Sequence, residues 1–265
     1  MYRRGLPYSF VPKKRLGQNF LKDKRVLERI VSYASITQDD VVLEVGPGLG
    51  TLTELLQTKA KKIIAVEKDP ELVQFLRERL QNNFKLEIVE GDILKIPLPE
   101  YDKVVSTPPY NISSRLLFLL LGRKYSIIVL ALQKEFAERL VAKPDTREYG
   151  RLTVMVAHKA RAEILEHISR ESFRPRPKVD SAIVKITPKE SPQPIDEELF
   201  TDLVRGLFTQ RRRELRSSLK HYIQQRLHPL PKEISDLDIP DKRVYQVTVE
   251  EFERLTRELA PLQSA

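Results

Sequence analysis

The residues best suited to chemistry form a Thr-Pro-Pro-Tyr stretch at positions 107–110, close behind the apolar pair Val104 and Val105. The two consecutive prolines fix the backbone dihedral φ and stiffen a turn at the end of a predicted strand. The Thr107 hydroxyl offers a hydrogen-bond acceptor, and the Tyr110 ring offers a face on which a nucleobase stacks. A turn of this kind holds the exocyclic amine of a nucleobase, and the chemistry that it indicates is methyl transfer to that nitrogen.

A glycine-rich segment, Glu-Val-Gly-Pro-Gly-Leu-Gly at positions 44–50, follows an apolar run and precedes a predicted helix that begins near Thr51. Glycine at Gly46 and Gly48 lets the backbone approach a ligand closely, and the start of a helix supplies free N–H groups. Glycine turns are common, so the glycines alone are weak evidence for a ligand site. Their position between a strand and a helix is what indicates cofactor binding.

Two carboxylates follow the next two predicted strands. Glu67 ends the second strand, about 20 residues beyond the glycines, where a carboxylate binds both hydroxyls of a ribose. Asp92 follows Gly91 at the end of the third strand, where a carboxylate accepts a hydrogen bond from an adenine amine. A nicotinamide-dependent enzyme shares the glycines and Glu67. The acid Glu44 in front of the glycines, Asp92 and the Thr-Pro-Pro-Tyr turn favour S-adenosylmethionine instead.

The elements that position these residues alternate between buried strands and helices. Apolar runs predict strands at residues 41–45, 63–66, 86–89, 104–105 and 127–130. Periodic apolar positions predict helices at residues 52–56, 70–80 and 113–121. This alternation predicts an α/β fold with a parallel sheet covered on both faces, as in the Rossmann-like sheet of class I S-adenosylmethionine-dependent methyltransferases.

The pattern changes after residue 160. Residues 162–168 and 181–186 are predicted to form strands of a closing hairpin at one edge of the sheet. A proline-rich stretch at 188–194 indicates a linker, and the helices predicted beyond it are 196–208, 210–226 and 249–259. We therefore expect a cofactor-binding domain with a basic N-terminal segment at residues 1–188. A small helical domain that contacts RNA is expected at residues 189–265.

Composition excludes several classes of protein. The chain has 265 residues, of which 41% are hydrophobic and 31% charged, as is typical of a soluble globular protein. No apolar run approaches the roughly 18 residues of a membrane span, and no secretory signal is evident, so we expect a cytoplasmic protein without a membrane contact. The absence of cysteine excludes disulfides, thiolate metal sites and cysteine nucleophiles, and we expect no metal site.

The positive charge of the chain favours an anionic partner, RNA or DNA. Lys and Arg number 46 against 37 Asp and Glu, which gives a net charge of +9. Basic side chains cluster in two stretches, at Arg3, Arg4, Lys13, Lys14, Arg15, Lys22, Lys24 and Arg25, and at Arg211, Arg212, Arg213, Arg216 and Lys220. Such clusters suit an extended track for nucleic acid phosphates. The arginines of the second cluster cannot share one helix face, so we expect at least one to pair internally with an acid such as Glu214 or Asp202.

Together these segments resemble the KsgA-type ribosomal RNA adenine dimethyltransferases, a family related to the Erm resistance methyltransferases. The resemblance extends from residue 12 to about residue 255 and is carried by residues 14–21 (Lys-Arg-Leu-Gly-Gln-Asn-Phe-Leu), 44–50, 107–113, 149–152 (Tyr-Gly-Arg-Leu), 173–181 (Phe-Arg-Pro-Arg-Pro-Lys-Val-Asp-Ser) and 210–213 (Gln-Arg-Arg-Arg). The first and fifth of these are specific to the family, whereas the glycine segment is common to methyltransferases. The chain is similar to an archaeal or thermophilic member, and its helical tail resembles the ribosome-modifying branch more than Erm.

The resemblance implies site residues and a substrate. The cofactor contacts that it carries over are Asn19, Leu21, Gly46, Glu67, Asp92 and Thr107. We expect Gln18, Glu44 and Gly48 at the same S-adenosylmethionine site. Tyr110 is expected on one face of the target adenine, and Phe173 is either the ring on its other face or an ordinary loop anchor packed on the core. The implied activity is dimethylation of the exocyclic N6 amines of two adjacent adenines near the 3′ end of small-subunit ribosomal RNA, coupled to biogenesis of that subunit.

In methyl transfer from a sulfonium, the amine itself is the nucleophile. An aromatic amine is a weak nucleophile because its lone pair is delocalised into the ring, so acceptors on its hydrogens help the nitrogen to pyramidalise. We assign this task to the Thr107 hydroxyl and the Pro108 carbonyl, with positioning and electrostatics carrying most of the rate. The common form of the motif has Asn, Asp or Ser at position 107. Thr107 is therefore either a working variant or, alternatively, the cause of weak cofactor binding and poor catalysis.

Two other functions stay open at this point. A ribosome-assembly factor with weak or lost catalysis keeps the RNA contacts and loses methyl transfer through Thr107. An Erm-like enzyme uses the same site on large-subunit ribosomal RNA. Methylation of isolated small and large subunits discriminates among these alternatives. We expect a monomer, since no long apolar helix face is left after the core is assigned.

Overall fold

The computed structural model describes residues 2–3, 6–7, 11–81, 84–189, 194–226 and 239–263. Its strands are β1 (Tyr2–Arg3), β2 (Leu6–Pro7), β3 (Phe20–Leu21), β4 (Val41–Val45), β5 (Lys62–Glu67), β6 (Leu86–Glu90), β7 (Lys103–Ser106), β8 (Ile127–Gln133), β9 (Ala160–Ile168), β10 (Phe173–Arg174) and β11 (Ser181–Pro188). Its α-helices are α1 (Lys24–Tyr33), α2 (Thr51–Leu56), α3 (Pro70–Arg79), α4 (Ser113–Leu121), α5 (Lys134–Leu140), α6 (Arg151–Lys159), α7 (Glu197–Phe208), α8 (Leu215–Arg226) and α9 (Val249–Gln263).

A seven-stranded sheet with the order β6-β5-β4-β7-β8-β11-β9 forms the scaffold. The strands from β6 to β8 run parallel, and β11 lies antiparallel to β8. The chain proceeds outward from β4 to β6 on one side and from β7 to β8 on the other, so the strand order reverses between β4 and β7. In open α/β sheets the ligand binds at this reversal, beyond the carboxyl ends of the strands. The predicted α/β sheet of mostly parallel strands is confirmed.

The central strands consist of continuous apolar runs because both faces of the sheet are covered. Val42 and Ile63 are fully buried, and Leu27 and Ile30 of α1 belong to the same apolar cluster. The edge strand β6 differs, since its Glu87 is exposed. Burial of each large aliphatic side chain contributes about 1.5–3 kcal/mol, so these strands hold the carboxyl edge of the sheet rigid.

The chain divides into two compact units. The sequence predicts a single boundary after residue 188, whereas the chain passes between the units three times. The first unit comprises residues 1–137 and 163–188, and the second comprises residues 138–162 and 189–265. Residues 138–162, which the sequence places with the first domain, group with the helical tail. The reason is that Tyr149 and Val154 belong to the apolar core formed by the tail helices.

The second unit has a core of its own. Phe200, Leu203 and Phe252 are fully buried there, on helices α7 and α9. The Tyr149 hydroxyl lies within this core and donates a hydrogen bond to the Val247 carbonyl at 2.6 Å. The polar end of a buried tyrosine is thereby satisfied, and the tail is tied to the segment that precedes α6.

Helix α8 begins five residues later than the predicted stretch at 210–226, at Leu215. The backbone of the residues before it pairs with a distant segment instead. The Leu215 N–H donates to the Lys242 carbonyl at 2.7 Å, and the Val244 N–H donates to the Arg213 carbonyl at 3.1 Å. Backbone groups committed to this pairing are unavailable to a helix, so the arginines at 211–213 lie outside α8.

Some sequence predictions lie outside the described residues. These are the side chains of Arg3 and Arg4 in the basic N-terminal segment and residues 190–193 of the predicted linker. Within the described ranges, no helix combines the length and the apolar character needed to cross a membrane.

Candidate active site

A cleft opens in the first unit at the carboxyl ends of β4, β5 and β7, where the strand order reverses. Its empty space is about 1100 Å³ including the open mouth, which is enough for a nucleoside-sized cofactor. The predicted site residues that line it are Gln18, Asn19, Leu21, Gly46, Gly48, Glu67, Asp92 and Thr107. Glu44, Pro108, Tyr110 and Phe173 lie outside this lining. The fold therefore brings most of the predicted cofactor residues to one place.

The glycine loop after β4 adopts a backbone that side chains disfavour. Gly46 and Gly48 have φ values of +69° and +57°. A Cβ atom on Gly48 would lie 2.7 Å from the Phe20 ring, and one on Gly46 would lie 3.2 Å from Cδ of Pro109. The loop thus packs between Phe20 on one side and the Thr-Pro-Pro-Tyr turn on the other, and glycine is required at both contacts.

Glu67 ends β5 with its carboxylate fixed by the backbone. Its Oε2 accepts a hydrogen bond from the Gly48 N–H at 3.2 Å, and its Oε1 accepts from the N–H groups of Lys68 and Asp69 at 2.9 and 3.0 Å. Burial raises the pKa of Glu67, and these N–H groups oppose that rise. The side chain is held at the cleft in one orientation, as a carboxylate that binds a diol requires.

Asp92 lies across the cleft at the turn that follows β6. Its Oδ1 accepts a hydrogen bond from the Leu94 N–H at 3.1 Å, and the Lys68 ammonium lies 2.9 Å from Oδ2. The hydrogen bond from Lys68 lowers the pKa of Asp92, so the carboxylate is ionised at neutral pH. An ionised carboxylate at this position accepts hydrogen bonds, which suits an adenine amine.

The structure places Glu44 beneath the cleft and not in its lining. The side chain is 1% exposed, and Oε2 accepts a hydrogen bond from the Thr53 hydroxyl of α2 at 2.7 Å. Burial raises the pKa of Glu44 to about 8. The alternation of side chains along β4 directs Glu44 to the face that α2 covers. Its role as a cofactor ligand is therefore not supported by its position, and at neutral pH it carries a proton.

The Thr-Pro-Pro-Tyr turn is fixed at its start by Ser106. The buried Ser106 hydroxyl donates to the Val45 carbonyl at 2.5 Å, which joins the ends of β7 and β4. Thr107 follows directly and lines the cleft, and its hydroxyl has no hydrogen-bond partner among the residues that the structure describes. Pro108 is buried. An acceptor at position 107 therefore faces the same space as the glycine loop.

The two aromatic rings predicted to hold the target base contact each other. The ring centroids of Tyr110 and Phe173 are 6.3 Å apart, and the ring planes meet at 68°. Phe173 is 4% exposed and pairs with Leu21 through β10 and β3, while the Tyr110 hydroxyl lies 2.6 Å from Oγ of Ser181. This edge-to-face packing leaves no room for a base between the rings, so stacking on both faces requires them to separate. Their roles stay predictions.

The cleft lining also contains residues that the sequence did not predict as cofactor contacts. The cleft is also lined by Arg15, Phe20, Lys68, Asn111 and Arg115. Phe20 lies within the Gln-Asn-Phe-Leu segment, and Lys68 directly follows Glu67, so proximity to known motifs was the available signal. Arg15 was predicted only as part of the basic N-terminal cluster. Arg115 had no such signal, because a lone arginine most often lies on a solvated surface.

The basic cluster of the second unit does not act as one surface. The Arg211 guanidinium donates to the carbonyls of Thr146, Arg147 and Tyr149 at 3.0–3.1 Å. The expected internal pairing thus exists, but its acceptors are backbone carbonyls and not an acid. Arg216 is exposed and has no ion-pair partner among the described residues, as is also true of Arg212 and Lys220.

The reversal of strand order puts the Thr-Pro-Pro-Tyr turn directly against the glycine loop, and this arrangement is that of a class I methyltransferase. Residues 10–260 match the family model described as ribosomal RNA adenine dimethylase, and the chain belongs to this family. The predicted family and fold class are both confirmed.

Curated relatives match over almost the whole chain. A protein of Thermococcus onnurineus named probable ribosomal RNA small subunit methyltransferase A is 43% identical, over 94% of this chain and 92% of its own length. A protein of the same name from Methanosarcina acetivorans is 42% identical, over 93% of each chain.

Solved structures show the same fold. The crystal structure of a dimethyladenosine transferase from Plasmodium falciparum superposes with a TM-score of 0.82 at 31% identity, covering 91% of this chain and 98% of that one. The crystal structure of the 23S rRNA methyltransferase ErmE superposes with a TM-score of 0.70, also at 31% identity, covering 91% and 99%. Both parts of the chain, sheet and helical tail, therefore have counterparts in known methyltransferases.

Proposed function

We propose that the chain dimethylates the exocyclic N6 amines of two adjacent adenines near the 3′ end of small-subunit ribosomal RNA, with S-adenosylmethionine as methyl donor. The observation that carries the proposal is the contact between the amine-holding turn and the glycine loop, where Pro109 packs against Gly46. Membership of the adenine dimethylase family and two relatives named as small-subunit methyltransferases support the substrate.

The residues of the cleft fit S-adenosylmethionine. Gly46 and Gly48 bring bare backbone to the cleft lining, and the Phe20 ring packs where a Cβ atom of Gly48 would lie. Glu67 presents a fixed carboxylate to a ribose diol, and the ionised Asp92 presents one to an adenine amine. When bound, this cofactor supplies an electrophilic methyl group on a sulfonium.

The residues of the turn act on the target amine. In the first transfer the Thr107 hydroxyl and the Pro108 carbonyl accept hydrogen bonds from the two amine hydrogens, and in the second transfer one of them accepts from the single hydrogen that remains. These hydrogen bonds draw the nitrogen lone pair out of conjugation. No strong base is needed, because the methylated ammonium loses its proton readily. The turn therefore works by position and electrostatics, and Ser106 holds it in place through its bond to Val45.

The target adenine has to leave its stack to reach this turn. Tyr110 offers one stacking face, and rotation of Phe173 away from it opens the other, with about 1–3 kcal/mol gained per stacked base. The exposed cations Arg212, Arg216 and Lys220 of the second unit contact phosphates and position the RNA without reading its sequence. The proposal includes an immature small subunit as substrate, a monomeric enzyme and a cytoplasmic location.

An Erm-like enzyme acting on large-subunit RNA is the second candidate, because the ErmE structure also aligns over 91% of the chain. Incubation with methyl-labelled S-adenosylmethionine and isolated small or large ribosomal subunits tests both. Label in small-subunit RNA supports the proposal, and label in large-subunit RNA alone supports the Erm-like function. Binding to small subunits without any label supports an assembly factor and contradicts the proposal.

A further inference from the structure

The N-terminal wall of the cleft is fastened to α3 by two side chains. Gln18, Asn19 and Leu21 line the cleft on this wall. The Lys13 ammonium lies 2.7 Å from Oδ1 of Asp69, and Nε2 of Gln18 donates to Oδ2 of Asp69 at 2.8 Å. The Gln18 Oε1 in turn accepts from the Lys13 N–H at 2.6 Å. Both ends of the Gln18 amide are therefore engaged within the protein.

Asp69 connects this wall to the carboxylate expected to bind ribose. The Asp69 N–H donates to Oε1 of Glu67 at 3.0 Å, while its Oδ1 accepts from the Glu71 N–H at 3.2 Å and caps α3. Asp69 is 1% exposed, so its charge depends on the cations and donors around it. Burial raises its pKa, yet the bonds from Lys13 and Gln18 outweigh burial and leave the pKa lowered.

Removal of Lys13 affects more than its two ion pairs, which are with Asp69 and Glu71. The Lys13 side chain is 25% exposed, whereas the Asp69 side chain is fully buried. A carboxylate left in that position without its cation is an uncompensated buried charge, which is strongly unfavourable. The simplest relief is movement of residues 13–18 away from Asp69, and this movement opens one wall of the cleft.

We propose that Lys13, Gln18 and Asp69 form a latch that closes the N-terminal wall onto the cofactor and fixes Glu67 at the same time. These three are positioning residues: they hold Asn19, Leu21 and Glu67 in place and do not themselves contact the reacting atoms. The inference rests on the proposed function, since it concerns the site assigned to S-adenosylmethionine. It assigns to Gln18 a role in closure in place of the predicted cofactor contact.

A purely structural role for Asp69 has a different consequence. If Asp69 only caps α3, loss of Lys13 lowers the stability of the chain and leaves cofactor affinity unchanged in the folded protein. If the latch positions the wall, affinity falls while the rate of methyl transfer at saturating cofactor is preserved. Lys14 is the matched control for cofactor binding alone, because it is exposed and adjacent and has no ion-pair partner among the described residues. Its expected contacts are with RNA phosphates and not with the cofactor.

The test uses the full chain and its Lys13→Met, Lys13→Arg and Lys14→Met variants. Isothermal titration with S-adenosylhomocysteine gives the dissociation constant, and single-turnover methylation of small subunits at saturating cofactor gives the rate. We expect Lys13→Met to weaken binding about tenfold, equivalent to about 1.4 kcal/mol, with Lys13→Arg near the parent and Lys14→Met unchanged. Hydrogen exchange of residues 13–19 should accelerate in Lys13→Met alone.

The double variant Lys13→Met with Asp69→Asn sharpens the result. Asparagine removes the buried charge and keeps one acceptor, so the double variant should bind no more weakly than Lys13→Met. A dissociation constant for Lys13→Met equal to that of the parent overturns the latch, whatever its thermal stability. Failure of the parent chain to bind S-adenosylhomocysteine at all overturns the proposed function instead.

Discussion

Substitution of Glu44 by glutamine is expected to make the chain more stable at alkaline pH. Glu44 is 1% exposed, and burial raises its pKa to about 8 from an ordinary value of 4.5. In that interval the native state keeps a proton that the unfolded chain releases, so the native state binds more protons. Stability therefore falls as pH rises from about 4.5 to about 8 and then levels off.

The size of the effect follows from the displacement of the pKa. Each pKa unit corresponds to about 1.36 kcal/mol, so a rise from 4.5 to about 8 corresponds to about 5 kcal/mol of stability lost across the interval. Glutamine has nearly the same shape, keeps an acceptor for the Thr53 hydroxyl and does not ionise. The Glu44→Gln chain should therefore lack this contribution to the pH dependence.

Denaturant unfolding of both chains, followed by a probe in the first unit from about pH 5 to about pH 9, measures the difference. We expect the advantage of Glu44→Gln over the parent to grow by several kcal/mol across this range. Glu163→Gln on β9 controls for the loss of one negative charge, because Glu163 is exposed and has no ion-pair partner among the described residues. A constant difference between Glu44→Gln and the parent at every pH would refute the protonated state of Glu44.

The other predictions concern the turn, the glycine loop and the basic cluster. Thr107→Ala should lower the single-turnover rate by about 10–100-fold and change cofactor affinity much less, because the proposed mechanism places the hydroxyl against the target amine. Gly48→Ala should weaken S-adenosylhomocysteine binding about tenfold or more in calorimetry, since its Cβ meets the Phe20 ring at 2.7 Å in a left-handed backbone. Arg211→Met should destabilise the second unit by about 2–4 kcal/mol in thermal unfolding, whereas Arg216→Met should leave stability unchanged and reduce the salt dependence of RNA binding.

Matched variants set the outcomes that contradict these predictions. Thr107→Ser keeps the hydroxyl and should methylate at about the rate of the parent. Equal single-turnover rates for Thr107→Ala and the parent would remove Thr107 from the mechanism. Gly122 has a φ of −82°, and its Cβ position makes only ordinary contacts, at 3.6 Å from two carbonyl oxygens. A Gly122→Ala chain that loses as much affinity as Gly48→Ala would disprove the steric argument. Equal stability of Arg211→Met and the parent would return Arg211 to the set of phosphate contacts.

Sequence and structure agree best where the signal is local. The glycine loop, the end of β5 and the end of β7 are each marked by a few adjacent residues, and parallel strands bring their carboxyl ends to one edge. Glu44 shows the limit of this reasoning, because its place before the glycines suggests a ligand. The alternation of side chains along β4 nevertheless turns it toward α2 and Thr53.

Contacts between distant segments could not be predicted in the same way. Lys13 and Asp69 are 56 residues apart, and no periodic pattern connects them. Arg211 carries a charge that suggests a phosphate contact, but its acceptors are backbone carbonyls more than 60 residues away. Because every residue has a backbone carbonyl, the sequence does not show which of them accepts a hydrogen bond. The crossing of residues 138–162 into the helical unit is of the same kind, since it depends on which core Tyr149 enters.

The most direct test of the proposed function is the identity and position of the methylated nucleotides. Small subunits lacking these methyl groups, incubated with the chain and S-adenosylmethionine, can be digested and their RNA fragments sequenced by mass spectrometry. We predict two adjacent N6,N6-dimethyladenosines near the 3′ end of the small-subunit RNA. Dimethyladenosine found only in large-subunit RNA, or none in small subunits that bind the chain, would contradict the account.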